Sequence, residues 1–98
     1  MMGGKKEIDV STVVVAADDC LSTTLDGESV ILHMGEGEYY GFNQVATDIW
    51  EQIQEPTRVE ELCEHLVSEY EIAYERSQED AVELLVELDE KGLVEVDG

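Results

Sequence analysis

One stretch of seven residues divides the chain into a strand-forming part and a helix-forming part: Gly37-Glu38-Tyr39-Tyr40-Gly41-Phe42-Asn43. The alternation within it predicts a strand over Glu38–Phe42, with Tyr40 and Phe42 on one face and Tyr39 and Gly41 on the other. Gly41 has no side chain to pack, and a glycine inside a strand often marks close approach by another backbone. We therefore expect an edge strand that is open to pairing.

Upstream of this stretch, the sequence predicts two further strands. Val10–Ala17 contains a β-branched run and is a good strand candidate, whereas Cys20–Asp26 is ambiguous. Glu28–Met34 is the second strand, and the glycines of Gly35–Gly37 suit a tight hairpin connection to the third strand. Because short links join neighbouring strands, the three predicted strands should form an antiparallel meander.

Downstream of Asn43, the apolar period changes to that of helices, and three helices are predicted. Pro56 ends the first helix, and a capping box at Thr57-x-x-Glu60 opens the second. The third helix follows a cap at Ser77 and runs to about Lys91.

Gly92 suits the position just after that helix, and Leu93–Val96 reads as a short final strand. The element order predicts an α+β fold, a three-stranded antiparallel sheet followed by a three-helix winged helix-turn-helix bundle. The length suits a single domain over residues 1–98, with residues 1–9 as a flexible tail.

The charge of the chain limits its partners. Twenty-five acids face five bases, for a net charge of −20. A winged helix suggests a DNA-binding regulator, but nucleic acid binding needs cations that displace phosphate counterions, so we expect no nucleic acid partner. The acidity fits solubility, adaptation to high salt, or electrostatic steering of a basic partner.

No catalytic or metal-binding pattern emerges from the sequence. The two cysteines, Cys20 and Cys63, do not combine with His33 and His65 into a metal spacing, and we expect both thiols to be reduced. No nucleophile–base set or phosphate loop is present, so we expect no cofactor and no enzyme activity. The longest apolar run is too short for a bilayer and no secretory signal precedes it, so we expect a cytoplasmic protein that does not bind membranes.

The third helix carries an unusually wide apolar arc, roughly 200° against roughly 140° for the other two. Either it lies centrally and buries the whole arc, or part of the arc lines a groove beside the third strand. An edge strand with an apolar helix beside it is what peptide binding by β-strand addition requires. In that case, we expect one of Tyr39 and Tyr40 to line the groove and the other to pack.

The chain resembles the PqqD family, which includes the leader-recognition elements of ribosomally made, modified peptides. The resemblance covers about residues 28–96 and rests on the order and spacing of several short motifs, each of low specificity by itself. These are residues 38–43, Ala46, Trp50, the helix start at Thr57, Glu60 and Leu62, Tyr70, and the closing Leu88, Gly92, Leu93 and Val94. Phe42 stands where the family often has Leu, and Glu55-Pro56 replaces a usual Gly.

The resemblance implies a non-catalytic adaptor that binds a leader peptide as an added strand and presents the precursor to modifying enzymes. It favours a lasso-peptide role with a leader peptidase and a cyclase, and the alternative is pyrroloquinoline quinone assembly with a radical-SAM enzyme. An exposed edge also permits a homodimer by strand exchange. The residues that the resemblance carries into the peptide site are Tyr39, Tyr40, Gly41, Phe42, Ala81, Leu84, Leu85 and Leu88, with Asp80 and Glu83 as acceptors for basic leader residues.

Overall fold

A computed structural model describes residues 8–97 of the chain. This part contains six strands and three helices, in the following order: β1 (Val13–Ala16), β2 (Cys20–Leu25), β3 (Glu28–His33), β4 (Glu38–Phe42), α1 (Gln44–Gln52), β5 (Thr57–Arg58), α2 (Val59–Tyr70), α3 (Tyr74–Glu90) and β6 (Val94–Asp97). The predicted tail of residues 1–9 lies mostly outside the described residues, although Ile8 is half-buried against the core.

The strands form two small antiparallel sheets, with orders β5-β1-β6 and β2-β3-β4. The predicted α+β class is confirmed, but the predicted membership of the meander is wrong. The first predicted strand pairs with β5 and β6, where Val14 lies opposite Thr57 and Val96. The ambiguous segment becomes β2 and takes the place of β1 in the meander.

The β2–β3 connection fixes the register of the meander. Asp26 and Gly27 both have positive φ, 56° and 81°, as the central residues of a two-residue type I′ hairpin turn require. Leu25 therefore faces Glu28 across the hairpin, and β3 pairs on its other side with β4, where Ile31 lies opposite Tyr40. This register turns Ile31 and Phe42 into the core, where both are buried.

The inner face of the meander packs on α1, which begins directly after β4. The Asn43 side chain accepts a hydrogen bond from the Ala46 amide at 2.9 Å and so caps the helix, in agreement with the predicted start. The Phe42 ring meets the Trp50 ring edge to face, with 5.7 Å between centroids. The end of β4 is thereby packed against α1.

Helices α2 and α3 form the helix-turn-helix pair, and the strands β1 and β6 form its wing. The cap of α2 lies one residue beyond the predicted position, since the Arg58 amide donates to the Glu61 carboxylate at 3.1 Å. Helix α3 begins three residues before the predicted cap, and Ser77 is buried inside it with its hydroxyl donating to the Tyr74 carbonyl. Gly92 ends α3 with φ of 75°, as predicted.

Candidate functional site

Strand β4 lies at the edge of its sheet, and no strand within residues 8–97 pairs with its outer side. The Met34 amide donates to the Asp19 carbonyl, so the even-numbered residues of β3 bond to β2. The odd-numbered residues of β3 then bond to β4, at Glu38, Tyr40 and Phe42. It follows that the main-chain amide and carbonyl groups of Tyr39 and Gly41 point to the open edge.

The face of the sheet over Gly41 is open among residues 8–97. A Cβ atom built on Gly41 meets no other described atom within 4 Å. The close backbone approach expected at this glycine is therefore not made by the described part of the chain. A Cβ atom points off the face of a sheet, so this empty space lies over the outer face. The room for a second strand, at the normal interstrand spacing of about 4.8 Å, follows instead from the unpaired edge of β4 among the described residues.

A groove of about 330 Å³ runs between this edge and helix α3. Phe42 and Leu88 are buried, whereas Tyr40 and Leu84 are partly exposed. The groove is lined by Tyr40, Gly41, Phe42, Asn43, Ala46, Leu84, Glu87, Leu88 and Lys91. It joins an apolar helix flank to unpaired main-chain groups, the combination that strand addition needs.

Not all the predicted site residues reach this groove. Tyr39 points to the opposite face of the sheet and Tyr40 is the tyrosine that lines the groove. The expectation that the other tyrosine packs is wrong, because Tyr39 is 71% exposed. Ala81 and Leu85 are fully buried in the core. Asp80 and Glu83 line an adjoining cleft between α1 and α3, and Leu84 also reaches that cleft.

Sequence reasoning missed four residues that line the groove, namely Asn43, Ala46, Glu87 and Lys91. Helical spacing from Leu84 could have predicted two of them. Glu87 and Lys91 follow Leu84 by three and seven residues and so share its side of α3.

Tyr40 and Lys91 form one end of the groove. The Lys91 ammonium lies 5.9 Å from the centre of the Tyr40 ring, within cation–π distance. The Tyr40 hydroxyl donates to the Glu38 carboxylate at 3.3 Å. Desolvation and the nearby Glu38 charge raise the pKa of Tyr40, so its hydroxyl stays a neutral donor at physiological pH.

The outer face of the meander is apolar and exposed. Leu21, Leu25, Val30, Met34 and Tyr39 are all between 48% and 74% exposed. They alternate with the inward residues of the same three strands or, for Met34, lie just past the end of β3. A strand added to β4 would extend this face as well as the groove.

Neither cysteine of the chain is an activated nucleophile. Burial is the main cause that raises the pKa of both cysteine thiols, Cys20 and Cys63, so each is protonated near neutral pH. Within residues 8–97, no group of three or more His, Cys, Asp or Glu side chains could hold a metal ion. No helix in the same range is long and apolar enough to cross a bilayer.

Comparison with known proteins gives a consistent set of relatives. The family model described as coenzyme PQQ synthesis protein D (PqqD) matches residues 28–94. A solved structure of TbiB1 in complex with the TbiA(beta) leader peptide is similar, with 31% identity, a TM-score of 0.78, and coverage of 83% of this chain and 94% of that one.

A second similar structure, lasso peptide synthetase B1 complexed with the leader peptide, shares the fold at 23% identity. Its TM-score is 0.74, and the match covers 84% of this chain and 96% of that one. A search of curated protein sequences finds no match.

Proposed function

The chain belongs to the PqqD family, and from this premise we propose that it is a non-catalytic adaptor for a ribosomally made precursor peptide. The leader segment of the precursor adds as a strand to the open edge of β4 and lays alternate side chains against α3. The adaptor then presents the precursor to modifying enzymes in the cytoplasm.

The observation that carries this proposal is the unpaired edge of β4 beside a ready groove. The main-chain groups of Tyr39 and Gly41 are directed to the open edge, no strand of the described residues pairs there, and Leu84 offers a partly exposed apolar contact in the groove. The similarity to TbiB1, which was solved with a leader peptide, supports the same choice of ligand.

We assign the adaptor to a lasso-type pathway with a leader peptidase and a cyclase, in keeping with its likeness in fold to lasso peptide synthetase B1. The alternative within the family is pyrroloquinoline quinone assembly with a radical-SAM enzyme. A DNA-binding role is disfavoured by the surface of α3, where Glu79, Asp80, Glu83 and Glu87 are exposed and would repel phosphate.

The direct test is calorimetric titration with the leader peptide encoded beside the gene. We expect micromolar or tighter binding to the unmodified protein. Gly41→Pro removes a main-chain donor from the open edge and should weaken binding at least tenfold. Gly41→Ala is the matched control, because it keeps the amide and its methyl group meets no neighbour within 4 Å.

A second variant tests the helix side of the groove. Leu84→Asp places a charge against the guest and should also lower affinity at least tenfold, whereas Leu85→Asp would disrupt the core, where Leu85 is fully buried. Unchanged affinity in both Gly41→Pro and Leu84→Asp would refute strand addition at β4.

Two further measurements separate the other roles. Turnover of the precursor by this protein alone would contradict a non-catalytic adaptor, and a DNA mobility shift at physiological salt would favour a regulator. Strand exchange between two copies would use the same edge, so leader peptide should dissociate any homodimer seen by light scattering.

A further inference from the structure

The groove beside β4 continues past the end of that strand. A second cleft of about 290 Å³ lies between α1 and α3 and shares Asn43, Ala46, Leu84 and Glu87 with the groove. The two therefore form one channel, with Tyr40 and Lys91 at one end and Asp80 at the other. A guest strand paired with β4 enters the α1–α3 cleft once it passes Asn43.

The two ends of this channel differ in charge. At the β4 end, Lys91 is accompanied by Glu38, which accepts from the Tyr40 hydroxyl. The α1–α3 end carries Asp80 and Glu83, and Glu87 lines both parts of the channel. Arg76 pairs with Asp80 at 3.4 Å in an exposed ion pair. Within residues 8–97, Glu83 and Glu87 form no ion pair, so their charges are available to a ligand.

The floor of the α1–α3 cleft is apolar. Val45, Ala46 and Ile49 line it from α1, and Leu84 lines it from α3. An apolar floor beneath two carboxylates that form no ion pair among the described residues is complementary to a segment in which an aliphatic residue is flanked by Lys or Arg. The long stems of those basic residues can cover the apolar floor while their charges reach the rim.

We propose that the channel selects its guest by charge order. This inference rests on the proposed function and adds the chemistry of the peptide to it. The guest carries Lys or Arg in the segment that lies in the α1–α3 cleft and carries none where it passes Lys91. The meander is antiparallel throughout, and an antiparallel guest continues that pattern. The basic segment therefore precedes the strand-forming segment in the guest sequence.

Two synthetic peptides of identical composition test this order. Both contain the same alternating Val-Thr strand, with a Lys-Leu-Arg segment at the amino end of one and at the carboxyl end of the other. At low salt we expect the first peptide to bind about three- to tenfold more tightly, the range for two partly exposed ion pairs. Equal affinities, or a preference for the second peptide, would overturn the inference.

Variants of the protein assign the effect to the cleft. Glu83→Gln combined with Glu87→Gln should remove the preference between the two peptides. Glu64→Gln combined with Glu69→Gln changes the net charge by the same amount on exposed positions of α2 and should preserve it. Loss of the preference in both double variants would mean that the overall field, not the cleft, selects the guest, and would also overturn the inference.

Failure of this inference differs visibly from failure of the proposed function. One outcome is that the two peptides bind the unmodified protein equally well and Gly41→Pro abolishes the binding of both. Strand addition at β4 then holds and the charge order is wrong. If Gly41→Pro and Leu84→Asp leave both affinities unchanged, the binding site itself is wrong.

Discussion

A buried pair of hydroxyl groups ties the meander to α1 at the scale of single residues. Ser29 and Thr47 are both buried, and their oxygens lie 2.7 Å apart. Thr47 can also donate to the Phe42 carbonyl at 3.4 Å, and in that arrangement the Ser29 hydroxyl donates to Thr47. This bond holds β3 against the helix that follows β4 and so helps to position the open edge.

Replacing Thr47 with Val should therefore destabilise the protein by about 1–3 kcal/mol, because it leaves the Ser29 hydroxyl buried without an acceptor. Adding Ser29→Ala should recover part of that loss, since both polar partners are then absent. Urea unfolding of the two single variants and the double variant measures this coupling. Strictly additive losses would show that the two hydroxyl groups do not depend on each other.

The residues of the site were only partly predictable, and the reason lies in the geometry of α3. Side chains alternate between the two faces of a strand, so the sequence alone predicts which residues of β4 share a face. Successive side chains on a helix are rotated by about 100° around the helix axis. A wide apolar arc therefore contains both core and groove positions, which the sequence does not distinguish. Ala81 and Leu85 lie on its buried side, whereas Leu84 lies at the edge that meets the groove.

At the scale of elements, two neighbouring apolar residues of β3 lie on opposite faces of the sheet, one buried and the other exposed. Ile31 is fully buried and Val30 is 48% exposed. We expect Ile31→Ala to cost about 2–5 kcal/mol through lost burial and a residual cavity. Val30→Ala should cost less, about 1 kcal/mol, because much of its side chain already meets water. Chemical denaturation compares them, and equal losses would contradict the register of β3.

The elements that sequence reasoning misassigned share a physical cause. In β2 every residue from Leu21 to Leu25 is exposed, so the strand has no buried apolar face for a sequence pattern to indicate. Strand β1 pairs with β6, which lies far along the chain, and no local sequence pattern predicts that pairing. Ser77 resembles a cap in sequence, but the helix has already begun at Tyr74.

At the scale of the whole molecule, the net charge of −20 opposes compaction through self-repulsion. The cations that form ion pairs within the described residues, Arg58 with Glu60 and Arg76 with Asp80, lie in exposed pairs of small stabilising value. The acids far outnumber the bases, so added salt screens more repulsion than attraction. The stability of the fold and its affinity for a basic guest should then respond to salt in opposite directions.

Raising KCl from 0.1 M to 1 M shortens the screening length from about 10 Å to about 3 Å. We expect the urea midpoint of unfolding to rise, while affinity for the peptide with the amino-terminal Lys-Leu-Arg segment falls severalfold. A peptide with only the Val-Thr strand should keep its affinity, because main-chain pairing with β4 carries no net charge. A falling midpoint would show that the exposed ion pairs outweigh self-repulsion. Equal salt dependence of the two peptides would place the ionic contribution outside the α1–α3 cleft.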